Sequence, residues 1–304
     1  MISGGRLPAF ALVFIETHHS FSYPETPRAY EHTSVTFTSF LLLFFGGIVT
    51  GTIGAMLGLG GGVFLVPFLA LVFDLPMHQA IATSILAVIA TSSAGAAMNV
   101  ERQIVNLKLG MVLEIATVIG AIFGGVSANL LSGEILTKIF ATLLLFVSFM
   151  MIWKTRHRSP NETTFQNGTL PGSYKDEASG TVVSYTVKRV PFVMLVSLVA
   201  GNISGLLGIG GGIFKVPAMH VISGVPMKAA TATSNFMIGV TAAASVFIYF
   251  AHGHLNPLIA APAALGVLSG SFLGVSINRK IKGDALTWVF AAVLLLISLR
   301  MFWR

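Results

Sequence analysis

The sequence predicts an all-α polytopic membrane protein built from two inverted repeats. Each repeat has about five helical segments and is broken by a half-helix at a glycine-rich motif. Three observations carry this. Of 304 residues, 54% are hydrophobic and only 10% charged, where a soluble domain carries about 25% charged residues. Apolar runs too apolar for surface helices and too long for strands recur along the chain, and its mean hydropathy is +0.84. The second half repeats the first at a constant offset of 150 residues.

Composition narrows the function classes. The 32 Gly and 23 Phe, beside only five Tyr and three Trp, fit helices that approach closely in a bilayer through small residues. An excess of 18 Lys and Arg over 11 Asp and Glu belongs, in such a chain, to cytoplasmic loops rather than to a nucleic-acid partner. The absence of cysteine excludes disulfides, thiolate metal sites and a cysteine nucleophile.

Taken in order, residues 1–36 hold an apolar patch at 7–15 followed by a polar stretch with three His and two Pro. Nine residues cannot span a hydrocarbon core that takes about 20 helical residues. Arg6 supplies the basic start of a signal peptide, but no A-x-A-like cleavage site follows. The segment is therefore read as an N-terminal extracytoplasmic extension. Repeat 1 (37–153) contains apolar runs at 37–57, 62–73, 79–98, 109–131 and 134–153. The polar segment 154–189 is read as a loosely ordered cytoplasmic linker without a cofactor motif. Repeat 2 (190–304) carries runs at 190–207, 212–223, 228–251, 257–278 and 285–303.

The duplication is specific. GLGGGVFLVP (58–67) aligns with GIGGGIFKVP (208–217), and DLPMHQAIATS (74–84) with GVPMKAATATS (224–234). The register persists through Asn106 and Asn256, Gly120 and Gly270, Gly124 and Gly274, and Trp153 and Trp303. Placing the linker in the cytoplasm with five segments per half puts Arg102, Lys108, Lys154, Lys188, Arg189, Arg279 and Lys282 inside. The outer loops 132–134 and 251–256 then carry no Lys or Arg. An odd number of crossings makes the repeats inverted. Re-entrant dips at the glycine runs would give four crossings and parallel repeats, but would put Arg102 and Lys108 opposite the linker.

The glycine runs divide apolar stretches into pieces of about half a span, and interrupted helices persist in a membrane only around buried protein or a wet cavity. Gly60, Gly61 and Gly62, with Gly210, Gly211 and Gly212, would open short helices whose N–H groups and dipoles favour an anion; alternatively they only permit tight helix crossing. Thr83 and Ser84, matched by Thr233 and Ser234 and followed by Asn235, supply neutral hydroxyl and amide donors, unless the hydroxyls bond their own i−4 carbonyls. The aligned Thr91 and Thr241 lie two turns deeper and are read chiefly in that second way.

Departures from the repeat single out charged residues. Lys215 replaces Leu65 within an apolar run and is expected either to attract an anion or to snorkel to the interface. Glu114 lies in the run 109–131; it is a coupling-proton candidate if buried, and an interfacial carboxylate if its proximity to Lys108 decides. His78 and Lys228 mark helix ends. His252 and His254 share a loop without a third ligand, so no metal site is assigned. Position 63 is Val and no Gly-Lys-Ser/Thr follows, so neither a dinucleotide fingerprint nor a P-loop is present. Ser204 lacks an oriented His and its repeat partner is Gly54.

GLGGGVFLVP with LPMHQAIATS, and GIGGGIFKVP with VPMKAATATSN, resemble the sulfite exporter TauE/SafE family of membrane transporters over about residues 38–303. The resemblance implies a multi-pass plasma-membrane permease for sulfite, organosulfonates or related sulfur oxyanions, driven by a proton or ion gradient, with the lipid bilayer as its surroundings. The linker is longer than is usual in that family, and Lys215 is not among its motif residues. An uncoupled anion channel for the same substrates, and a scaffold or sensor without transport, are the alternatives.

Overall fold

The computed structural model describes residues 37–57, 61–156, 170–175, 180–278 and 283–303. These residues form ten α-helices and one two-stranded sheet. In chain order the helices of the first half are α1 (Phe37–Leu57), α2 (Gly62–Val72), α3 (Met77–Glu101), α4 (Leu107–Leu130) and α5 (Gly133–Arg156). Strands β1 (Leu170–Lys175) and β2 (Val182–Val187) follow. The second half comprises α6 (Val190–Leu207), α7 (Gly212–Pro217), α8 (Met227–Ala251), α9 (Pro257–Asn278) and α10 (Gly283–Phe302). Seven helices are long and apolar enough to cross a membrane, by length and composition. The expected apolar runs and the helices agree to within a few residues, because a segment in lipid must satisfy its backbone groups internally and so becomes helical along its whole apolar length.

Local chemistry sets the ends. Pro76 and Pro226, both with φ −53° and ψ 140°, hold an extended residue directly before α3 and α8. Asn106 caps α4, its side-chain oxygen accepting the Leu109 N–H at 3.1 Å. Gly208 ends α6 in the left-handed conformation (φ 70°), its N–H donating to the Ser204 carbonyl at 2.8 Å. Pro217 removes a donor from the end of α7, and the chain widens there into a single π-helical turn, Ala218–Ile222. The polar motif ATS sits within α3 and α8, Thr83 and Thr233 each six residues past the first helical residue.

Equivalent helices pack in equivalent ways. A Cβ on Gly266 or Gly270 of α9 would fall on the Phe44 or Ile48 carbonyl oxygen of α1. One on Gly201 or Gly205 of α6 would fall on the Thr117 or Ala121 carbonyl oxygen of α4. Numbers rise together along both pairs, so α1 runs parallel to α9 and α4 parallel to α6. In contrast Gly95 of α3 faces Asn235 of α8, whereas Gly239 faces Ser92, so these two helices run antiparallel. Helices α5 and α10 are antiparallel as well, joined where Ser148 Oγ donates to the Ala291 carbonyl at 2.7 Å and Ser298 Oγ to the Ala141 carbonyl at 2.8 Å. These two bonds are images of each other at the 150-residue offset. Outward-facing Phe45, Ile115, Phe123, Phe149, Leu195 and Phe247 are exposed, as expected of side chains that face lipid rather than water.

The segment read as a loose linker contains an antiparallel pair, β1 against β2, with Gly172 opposite Tyr185 and Tyr174 opposite Val183. Its buried Tyr174, Tyr185 and Val187 share one apolar cluster with Leu109 and Leu113 of α4, Val193 of α6, Met219 of the π turn and Met237 of α8. Alternation along the strands hides aromatic and β-branched side chains on one face, a period the polar composition of 154–189 obscured. The N-terminal segment 1–36 lies outside the described residues.

Candidate functional site

The two glycine-rich turns meet at the interface between the halves. Gly61 precedes α2 and Gly62 is its first residue; Gly211 (φ 68°) precedes α7 and Gly212 is its first residue. Thus both runs do open short helices. A Cβ on Gly62 would stand 2.6 Å from the Gly208 carbonyl oxygen and 2.7 Å from Ser84 Oγ. Gly210 (φ 79°) and Gly211 occupy backbone conformations that favour glycine. Gly60 lies outside the described residues.

The hydroxyls distribute themselves unevenly around this junction. Thr83, Ser84, Thr233 and Ser234 are all buried. Ser84 Oγ donates across the halves to the Gly208 carbonyl at 2.8 Å, and is thus neither bonded to its own helix nor free. Thr233 Oγ1 accepts the backbone N–H of Asn106 at 3.0 Å. Ser234 Oγ has no hydrogen-bond partner among the described residues, although an isolated hydroxyl at that depth costs free energy. Asn235 is partly exposed and turns its side chain toward Gly95.

Charge enters this junction from one side. Lys215 is fully buried, which removes the snorkelling alternative. Its Nζ donates to Thr241 Oγ1 at 3.2 Å, and Thr241 Oγ1 stands 2.7 Å from Glu114 Oε1 as donor. Glu114 is only 7% exposed, so it is not an interfacial carboxylate, despite its closeness in sequence to Lys108. Its second oxygen, Oε2, has no hydrogen-bond partner among the described residues. Thr241 also contacts its own-helix carbonyl at Met237 (2.9 Å), the role anticipated for it, but its second role as the bridge between opposite charges was not anticipated. Leu65, Thr91 and Ala264 stand at the repeat-equivalent positions, so the ionic network, which joins α4 of the first half to α7 and α8 of the second, has no charged counterpart where the repeat would place one. Its separate members come from α4, α7 and α8, and only the tertiary fold brings them together. A signal for it did exist: two opposite charges, each replaced by an apolar residue in the other repeat, must find each other within an apolar bundle.

At the opposite end of α8, His78 stacks on His254 with ring centroids 4.7 Å apart, and His254 faces His252 at 6.3 Å. His78 Nε2 lies 3.0 Å from the Ala128 carbonyl. Burial, and then the neighbouring His78 and His252, push the His254 imidazole down to about 4, so it is neutral at physiological pH. No group among the described residues has the makings of a metal site. Nearby, a cavity of about 420 Å³ is lined by Asp74, Met77, His78, Glu134 and Lys138.

Helices of crossing length, two shortened helices meeting at glycine turns, and a buried cation and carboxylate between them define a multi-pass helical membrane protein of the transporter class. The chain belongs to the sulfite exporter TauE/SafE family, whose profile matches residues 43–301. It is similar to the probable membrane transporter protein YunE of Bacillus subtilis, 29% identical over 88% of this chain and 98% of that protein. It is also similar to probable membrane transporter proteins of Methanocaldococcus jannaschii (26% identical over 83% of this chain and 91% of that protein) and Haemophilus influenzae (26% over 88% and 99%). No solved structure matches the chain.

Proposed function

We propose that this transporter moves small sulfur-containing oxyanions, such as sulfite or an organosulfonate, together with a proton, by alternating access between two inverted repeats. The observation that carries it is the hydroxyl bridge from Lys215 to Glu114 through Thr241. With Glu114 ionised, the buried pair is neutral overall. An anion arriving at Lys215 would leave a net negative charge in a low-dielectric interior, which is costly. Protonation of Glu114 removes that charge and releases the Lys215 ammonium for the anion, so the empty and the loaded site are both neutral and both can be occluded. Proton and anion therefore travel together, and the direction of travel follows the gradients.

In this reading Gly60, Gly61, Gly62, Gly210, Gly211 and Gly212, with the Ser234 hydroxyl, offer neutral donors for the oxyanion, and Thr83, Ser84, Thr233 and Asn235 orient it. The inverted arrangement is supported by the antiparallel course of α3 against its equivalent α8, and of α5 against its equivalent α10. Repeats related by an axis along the membrane normal would place those pairs parallel. Membership in a sulfite exporter family favours sulfur oxyanions over other anions.

The test is uptake of sulfite into proteoliposomes under an inward proton gradient. Wild type is expected to accumulate sulfite above its electrochemical equilibrium, and Lys215→Met to lose at least about a hundredfold in rate, the scale of a lost charge-assisted contact in a buried site. Failure of sulfite, sulfonate and sulfate all to move through folded protein would overturn the substrate assignment.

A further inference from the structure

The hairpin β1–β2 lies at the end of the bundle that carries Lys215 and Glu114. Tyr174 and Tyr185 share one apolar cluster with Leu113 and Met237; Leu113 precedes Glu114 in α4, and the Met237 carbonyl accepts from Thr241 Oγ1 at 2.9 Å within α8. A polar chain runs through the same cluster. Asn106 Nδ2 donates to the Tyr185 hydroxyl at 3.3 Å, while the backbone N–H of Asn106 donates to Thr233 Oγ1 at 3.0 Å. Burial first, and then the neighbouring Tyr174, raise the Tyr185 phenol above its ordinary value, against the lowering effect of the Asn106 bond, so it stays a neutral acceptor. The fit is close, since a Cβ on Gly172 would stand 2.6 Å from Asn106 Nδ2 and 2.5 Å from the Tyr185 ring. On the rim, Lys228 Nζ sits 5.8 Å from the centre of the Tyr174 ring.

We propose that this hairpin is the gate over one mouth of the transport pathway, and that Asn106 is the positioning residue that ties its closure to the Thr233 hydroxyl. The inference rests on the reading of Thr233 and Ser234 as pathway residues. When Thr233 turns to an anion, the Asn106 N–H loses its acceptor, the cap of α4 loosens, and the hold of Asn106 on Tyr185 weakens with it. Gate and site are thereby linked through one residue that touches both. A two-stranded hairpin is marginal by itself, so it rests on this cluster and can leave it at modest cost.

The chain has no cysteine, so an introduced thiol is a clean reporter. Ser234→Cys is nearly isosteric at a hydroxyl without a partner, and a membrane-impermeant methanethiosulfonate reads its exposure from each side in oriented vesicles. Tyr185→Phe, which removes the phenol from the chain, is expected to speed labelling from the hairpin side roughly fivefold, the scale of one neutral hydrogen bond. Gly172→Ala, whose added methyl would strike Asn106 Nδ2 and the Tyr185 ring and so wedge the hairpin off Asn106 while keeping the phenol, is expected to do the same, and neither is expected to speed labelling from the opposite side. Unchanged labelling in both variants, or an equal rise from both sides, would overturn the gate. In a separate chain carrying Tyr174→Cys and Lys228→Cys, a bifunctional thiol reagent is expected to stop sulfite flux, while each single variant keeps it; full flux after cross-linking would overturn the gate as well. If sulfite does not move through wild type but labelling responds as expected, the substrate assignment falls and the gate stands.

Discussion

At the residue scale the centre of the molecule is Thr241, a hydroxyl that holds a buried ammonium and a buried carboxylate apart and yet connected. Removing one partner of such a pair leaves an uncompensated charge, whereas removing both leaves a merely polar gap. Lys215→Met is accordingly expected to destabilise the protein by about 3 kcal/mol, and Lys215→Met with Glu114→Gln to recover most of that loss. Thermal midpoints in detergent check this; additive losses in the double variant would show that the two residues are not a pair. Both were legible in the sequence as charges out of place. What joins them was not, because Lys215 and Glu114 lie about a hundred positions apart, and a periodic Thr that bonds its own helix carries no mark of a second partner. The stack of His78 on His254 escaped for the same reason, since these residues come from the start of α3 and the loop after α8.

At the scale of elements, every helix existed in the sequence as an apolar run, and the two short ones were set apart by glycine runs and by Pro76 and Pro226. Their packing depends on glycine at helix crossings. Gly120 and Gly124 of α4 each leave room for a carbonyl oxygen of α6, at Leu198 and Asn202, just as Gly270 and Gly274 of α9 do for Ile48 and Thr52 of α1. Gly120→Ala and Gly270→Ala should each push the neighbouring helix away and cost about 1–3 kcal/mol, as overpacking does. Equal drops in thermal midpoint for this repeat-related pair are the expected result, and a drop at one position alone would break the equivalence of the two crossings. The hairpin was the element least visible beforehand. Six-residue strands with Pro171 and Gly172 in one of them give a weak signal in a segment whose Ser, Thr and charge read as loop.

Over the whole molecule the repeat legible at an offset of 150 residues reappears as paired contacts, down to the two serine bonds between α5 and α10. The proposed inverted arrangement would place the loop after α4 and the loop after α8 on one side of the membrane, and the loop after α3 with the hairpin on the other. Single cysteines at Ser132 and Gly253 should then react with an impermeant thiol reagent from one side only, and those at Gln103 and Lys175 from the opposite side only. Reaction of Ser132 and Gln103 variants from the same side would refute the topology. The fold is thus symmetric in its framework and asymmetric in its charge: Glu114 of the first repeat meets Lys215 of the second, whereas their repeat equivalents are Ala264 and Leu65. A transporter that must bind one anion and one proton needs only one such site.

If Glu114 carries the proton that accompanies the anion, two modes of flux separate in Glu114→Gln. A permanently neutral side chain leaves Lys215 available, so exchange of labelled for unlabelled sulfite across proteoliposomes should continue near the wild-type rate. Accumulation driven by an inward proton gradient should vanish, together with the proton uptake that an internal pH dye reports in wild type. Gradient-driven accumulation that survives in Glu114→Gln, with proton uptake intact, would contradict the account.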